Sequence, residues 1–142
     1  MQNEKEKFKE NFIKRLVAFS INTIKLAEKL KTNRVLWPIV DQLVRSATSI
    51  GANVVEAKSS SSKRDYLHFF EISLKSANET KYWLILAKEL IPELNPEIDK
   101  LYNEADELSK IIGSSVITLK GKKYKFLNYI LIFDFLILIF AI

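Results

Sequence analysis

The residues of this chain best spaced to act together are Gln42, Arg45, Ser49, Asn53 and Glu56, which recur at intervals of three, four, four and three. On an α-helix that spacing makes one polar line. A second line, Glu71, Lys75, Glu79 and Tyr82, has similar spacing, and the serine run 59–62 separates the two. If the chain reverses near Ser62, residues whose numbers sum to about 124 lie at the same height on two antiparallel helices. That register pairs Gln42 with Tyr82, Arg45 with Glu79, Ser49 with Lys75, Asn53 with Glu71 and Glu56 with His68. Every pair can hydrogen-bond, and two set a cation or an imidazolium against a carboxylate. The expected chemistry is structural, a polar seam that fixes register or a subunit contact; a solvated polar face is the alternative. Catalysis is not expected, because nothing in either line joins a nucleophile to a base and an orienting group.

Other reactive groups are few. The chain has no cysteine, which excludes disulfides, thiolate metal sites and cysteine nucleophiles. His68 is the single histidine and is expected to be hydrogen-bonded or exposed, so neither metal nor cofactor is predicted. Gly51 is followed by no further glycine of a phosphate loop and reads as a close approach between helices.

The net charge of +5 is unevenly distributed. Residues 1–34 carry nine Lys or Arg against four Glu, residues 35–95 balance at seven each, and residues 96–119 carry two Lys against five acids. A basic first segment and an acidic fourth can attract one another within the fold. Alternatively, Lys5, Lys7, Lys9, Lys14 and Arg15, with Lys63 and Arg64, form a footprint for nucleic-acid phosphates.

The elements that must position these groups are helices. Glycine and proline occur three times each in 142 residues, too few for a many-stranded sheet, and good helix formers dominate. Phe8, Phe12, Leu16, Phe19, Thr23, Leu26 and Leu30 share a face of a helix over about 6–31. Trp37-Pro38 opens a second, to about 58, with Val40, Leu43, Ala47, Ile50, Val54 and Ala57 inward. Ser62-Lys63-Arg64-Asp65 resembles a capping box for a third, which runs to about 91 with Leu67, Phe70, Leu74, Ala77 and Leu84 inward. Pro96 begins a fourth, over about 96–118, with Ile98, Leu101, Ala105, Leu108 and Ile112 inward. Short connections make neighbours antiparallel, so the fold is expected to be an all-α up-down-up-down four-helix bundle over 1–119, with an apolar segment at 120–142.

The run from Gln42 to Ala57, QLVRSATSIGANVVEA, resembles the signature of the four-helix bundle proteins encoded in bacterial 23S rRNA intervening sequences. Ser62-Lys63-Arg64-Asp65-Tyr66 and Glu79-Thr80 with Tyr82-Trp83-Leu84 resemble later segments of that family. The resemblance implies a four-helix bundle assembling as a homopentamer, similar to the accessory protein of diversity-generating retroelements, which binds nucleic acid and a protein partner. It places Arg45, Ser49, Asn53, Glu56 and Glu79 on the family's characteristic polar positions.

Independently, Tyr66, Phe69, Ser73, Ser76, Thr80, Trp83, Ala87 and Leu90 form a second stripe on helix three. A bundle that stands alone needs only one, so Tyr66, Phe69 and Trp83 are expected at a subunit contact; a wide core using both stripes is the alternative. No cationic stretch precedes an apolar run at the N-terminus, so a cytoplasmic protein is expected. Phe126 to Ile142 is almost wholly apolar, broken by Asn128 and Asp134. Seventeen residues approach the lower limit for a membrane span, and a charge near the middle opposes one. Packing against the bundle or a neighbouring subunit is favoured over a membrane anchor. The function expected is an oligomeric binding protein contacting RNA or DNA through basic surfaces, alone or with a protein partner; the alternative is a protein-interaction module that binds no nucleic acid.

Overall fold

Leu16, Phe19, Thr23, Leu26 and Leu30 return every three or four residues and all are buried, so one face of the first helix, α1 (Gln2–Leu30), turns inward. The same periodicity builds α2 (Trp37–Ala57), α3 (Lys63–Leu90) and α4 (Asn95–Lys120). The computed structural model describes residues 2–31 and 33–121, with the backbone alone at Gln2 and Lys5. Among the described residues there is no strand and no helix long and apolar enough to cross a membrane. The apolar segment at 126–142 lies outside them.

Each helix starts where its sequence makes starting easy. Pro38 and Pro96 occupy the first turns of α2 and α4, where a missing N–H breaks no intrahelical bond. The Ser62 hydroxyl accepts from the Asp65 N–H at 3.1 Å and caps α3. Single 3-10 turns, Arg34–Leu36 and Pro92–Leu94, lead into α2 and α4. The observed ends differ from those expected by one or two residues, except that α1 begins four residues earlier, at Gln2. The Glu and Lys residues of that first stretch are good helix formers and need no apolar face to continue it.

The helices enclose one core in which α1 meets α2 and α4, and α3 meets α2 and α4. Bonded pairs run in opposite directions along neighbours. Ser46 meets Thr80 and Ile50 meets Ser73 across α2–α3; Lys81 meets Asp106 and Lys88 meets Asp99 across α3–α4. Arg15 meets Glu104 and Lys29 meets Glu97 across α1–α4. Rising numbers on one helix against falling numbers on its neighbour are what antiparallel packing produces.

The tightest feature of this packing is a line of small hydroxyls between α2 and α3. Thr80 Oγ1 donates to Ser46 Oγ at 3.0 Å, Ser76 Oγ to Ser49 Oγ at 3.0 Å, and Ser73 Oγ to the Ile50 carbonyl at 2.8 Å. Ser46, Ser73, Ser76 and Thr80 are buried, and Thr80 has no exposed surface. Because side chains this small let helix axes approach closely, each hydroxyl reaches a partner without a bridging water. Gly51 serves α1 in a similar way: a Cβ there would lie 3.4 Å from the Cβ of Leu16.

The acidic charge of α4 is answered inside the subunit, by cations of α1, α3 and α4 itself. Arg15 bonds Glu104 through two nitrogens, one at 2.9 Å, and Lys29 Nζ lies 2.8 Å from Glu97. Lys81 and Lys110 both hold Asp106, at 3.1 and 2.9 Å. Hydrogen bonding from Lys110, then from Lys81, holds the Asp106 carboxyl below the usual carboxylate range.

Two outcomes are expected. Thr80→Val keeps the volume but removes the hydroxyl, and should lower stability by about 1–2 kcal/mol in urea denaturation; Thr80→Leu should lower it by about 1–3 kcal/mol by forcing the helices apart. Unchanged midpoints for both would remove the hydroxyl line as a structural constraint. A carboxyl with a depressed folded pKa contributes stability above its unfolded pKa and loses it as pH falls through the folded one. Asp106→Asn should therefore cost under about 1 kcal/mol near neutrality, its carboxylate being partly exposed. The gap from wild type should close as urea midpoints are followed downward from about pH 4.

Candidate interaction surface

Ser49 and Ser76, bonded to one another, mark the line at which α2 and α3 meet. On α2, Gln42, Asn53 and Glu56 stand seven residues before, four after and seven after Ser49, on its side of the helix. On α3, Phe69, Ile72, Glu79 and Trp83 stand seven and four before and three and seven after Ser76. The polar line and two of the three aromatics therefore flank a single α2–α3 groove. Phe69, Ile72 and Trp83 are half-buried, as are Gln42, Ser49 and Asn53; Glu56 and Glu79 are exposed on the rim, and Arg45, also exposed, borders the hollow between α1 and α2.

Bonding within this groove departs from the pairing expected of the sequence. The Arg45 guanidinium donates to Gln42 Oε1 at 2.9 Å, one helical turn away, and Glu79 accepts from Trp83 Nε1 at 3.2 Å, also within its own helix. Asn53 Nδ2 donates to the Ser49 carbonyl and hydroxyl at 2.7 and 2.9 Å. No direct Arg45–Glu79 bond joins the two helices. The reason is spacing: at the closeness set by Ser46, Ser49, Ser76 and Thr80, only short side chains cross between α2 and α3. Longer ones are turned outward and bond along their own helix. His68 is exposed, with its ring 6.2 Å from that of Phe69, and is not bonded to Glu56.

Tyr66 belongs to a different surface. Its ring lies 4.9 Å from that of Phe70, in a hollow with Phe8 and Phe12 of α1 and Ile111 of α4. Ser73, Ser76 and Thr80, which continue its stripe in sequence, face α2 of the same chain. Stripe position alone therefore does not group Tyr66 with Phe69 and Trp83.

A further apolar strip was not expected from the sequence. Val17, Ile21 and Ile24 are 52, 46 and 42% exposed on the outer face of α1. Ile24 and Val44 line a shallow hollow between α1 and α2, on the flank of α2 away from α3. The spacing of four and three was a signal, but it was masked by the stronger inward stripe one position away.

The cationic candidates divide. Lys7, Lys9 and Lys14 are exposed on the first half of α1, Lys63 and Arg64 are exposed at the start of α3, and none of the five lies within salt-bridge distance of a carboxylate among the described residues. Lys9 and Lys58 border the same hollow as Tyr66, which places the first turns of α1 and the start of α3 at one end of the bundle. Arg15 is half-buried and bound to Glu104. The side chain of Lys5 lies outside the described residues. Among the described residues no cluster of three His, Asp or Glu is arranged to hold a metal ion.

The likeness to known proteins covers the part of the chain that builds this surface. No curated protein matches the chain. Among solved structures it resembles a protein of unknown function from the S23 ribosomal protein family of Bacteroides thetaiotaomicron VPI-5482, with 30% identity and a TM-score of 0.69 over 74% of this chain and 97% of that one. The model of the 23S rRNA-intervening sequence protein family matches residues 9–114, which span all four helices and both flanks of the α2–α3 groove. The chain belongs to the family of 23S rRNA-intervening sequence proteins.

Proposed function

We propose that this protein is a non-enzymatic binding protein that assembles with copies of itself and contacts nucleic-acid phosphates through the cationic end of its bundle. The observation that carries the binding half is the set Lys7, Lys9, Lys14, Lys63 and Arg64, exposed and without carboxylate partners among the described residues, while Arg15 and Lys29 of α1 are engaged with α4. Ammonium and guanidinium groups without internal partners are free to exchange counterions for phosphates, and such contacts dominate affinity. Arg15 is not assigned to this surface, since Glu104 already holds it.

What supports assembly is the presence of two unlike apolar faces. A ring is closed by a heterologous contact, in which one face of each subunit meets a different face of the next. The half-buried Phe69, Ile72 and Trp83 of the α2–α3 groove supply one face, and the exposed Val17, Ile21 and Ile24 strip supplies the other. The basic α1 and acidic α4 are poor alternatives because they already face each other within one subunit. A pentamer is the size implied by the family resemblance, and a ring of that kind would bring several cationic ends to one rim. Protein interaction without nucleic acid is a second reading, favoured by the Glu4, Glu6 and Glu10 side chains that share the cationic end.

Light scattering should give a mass well above one subunit for the wild type at micromolar concentration, and a monomer would overturn the assembly. Trp83→Glu and Ile21→Glu should each yield monomers with helical content kept. Mixing the two variants should restore dimers and nothing larger, because each retains the face that the other has had disabled. Single-stranded RNA should bind at low salt, with log affinity falling linearly against log salt. Replacing Lys9, Lys63 and Arg64 by Gln should flatten that slope by roughly one for each phosphate no longer neutralised. Absence of binding at low salt would leave the interaction-only reading.

A further inference from the structure

We propose that the apolar C-terminal segment, Phe126 to Ile142, docks on its own subunit, in the groove between the first half of α1 and the α3–α4 pair. That groove is lined by Phe8, Phe12, Tyr66, Phe70 and Ile111 and encloses about 700 Å³. A second hollow of about 510 Å³ adjoins it and adds Leu119. Phe8 is 62% exposed, although it sits on the inward-facing stripe of α1 and its ring stacks on Phe12 at 6.4 Å. An aromatic on the core face of a helix, left in water beside other apolar side chains, marks a surface that lacks a cover.

Three observations choose this segment as the occupant. Leu119 belongs to both the last turn of α4 and the rim of the groove, so the chain leaves the bundle at the groove's edge. Gly121 has φ of 82°, a left-handed conformation that diverts the chain from the axis of α4. The five residues from Gly121 to Phe126 reach at most about 17 Å, enough for the groove and too short for the far end of the bundle. Of the charged groups that border the groove, Glu4, Lys9 and Lys58, the Lys58 ammonium offers a partner for Asp134, the one acidic residue of the segment. In a bilayer that carboxylate would lie near the middle of a helix about 25 Å long, short of a hydrocarbon core of about 30 Å.

The absence of cysteine from the chain makes disulfide trapping a clean test. In the full-length protein, Ser115→Cys in the groove is combined in turn with Asn128→Cys, Leu131→Cys and Phe135→Cys, and the oxidised products are analysed by mass under denaturing conditions. Lys9→Cys, an exposed position on the same groove, replaces Ser115→Cys if that variant does not fold. Val35→Cys, exposed between α1 and α2, is the control. Flotation with vesicles of phosphatidylcholine and phosphatidylglycerol is run in parallel. Docking in cis predicts loss of both thiols at the mass of one subunit with at least one groove pair, none with the Val35 control, and no flotation. A disulfide only between subunits would assign the groove to a neighbour's segment and overturn the proposal. Free thiols in every pair, or flotation of the wild type with its groove pairs reduced, would overturn it as well.

Discussion

Between α2 and α3, serine and threonine side chains meet directly. Thr80 on Ser46, Ser76 on Ser49 and Ser73 on the Ile50 carbonyl are the bonds that this spacing permits, and each one constrains what surrounds it. Ser46 and Thr80 also bond carbonyls of their own helices, whereas Ser73 and Ser76 bond only across the seam, so sliding the two helices by a turn would cost those two hydroxyls their partners, at about 1–3 kcal/mol each. Fixed register then decides which side chains reach the rim. Gln42, Asn53, Glu56, Glu79 and Trp83 stand there, on the outer side of the hydroxyl line. The apolar core supplies most of the favourable free energy, but nearly any register of apolar stripes would bury similar area. The hydroxyls are what make one register better than its neighbours.

The α1–α4 pair contrasts with this. Its cross-links are the ion pairs Arg15–Glu104 and Lys29–Glu97, both partly solvated. Such pairs contribute at most about 1 kcal/mol each and are screened by salt. A hollow of about 820 Å³ runs between the two helices, bordered by Arg15, Lys29, Glu97 and Glu104. The bundle therefore has a tight hairpin, α2–α3, and a looser closing seam. Both apolar faces assigned to assembly border α2, so a ring would be built around the firm side of the molecule. The cationic end lies where α1 begins, across a hollow from Ile111 and Ser115 of α4.

Much of this was legible before any coordinates. The helices followed from periodicity and from Pro38, Ser62 and Pro96, whose effects are local. Hairpin register was legible too, since a turn at Ser62 predicts sums near 124 and the observed bonds give 126, 125 and 123. The identities of the crossing residues were not. A helical wheel separates polar from apolar but does not tell how near the next helix comes, and that distance decides whether Ser46 or Arg45 meets its neighbour. The attraction of a basic α1 for an acidic α4 was readable as charge, while its partition into Arg15–Glu104 and Lys29–Glu97 needed the backbone. Val17, Ile21 and Ile24 were hidden because a strip beside a strong inward stripe looks, in sequence, like its broader edge.

Native-state hydrogen exchange under increasing denaturant tests most directly whether the hydroxyl-lined α2–α3 hairpin is the rigid unit on which the rest is assembled. If it is, amides around Ser46, Ile50, Ser73, Ala77 and Thr80 exchange only through global unfolding. Those of α1 and the facing turns of α4 should open at distinctly lower free energy, and by a still smaller margin at high salt. Uniform protection across the four helices, or α1 amides outlasting those of the α2–α3 hairpin, would contradict it.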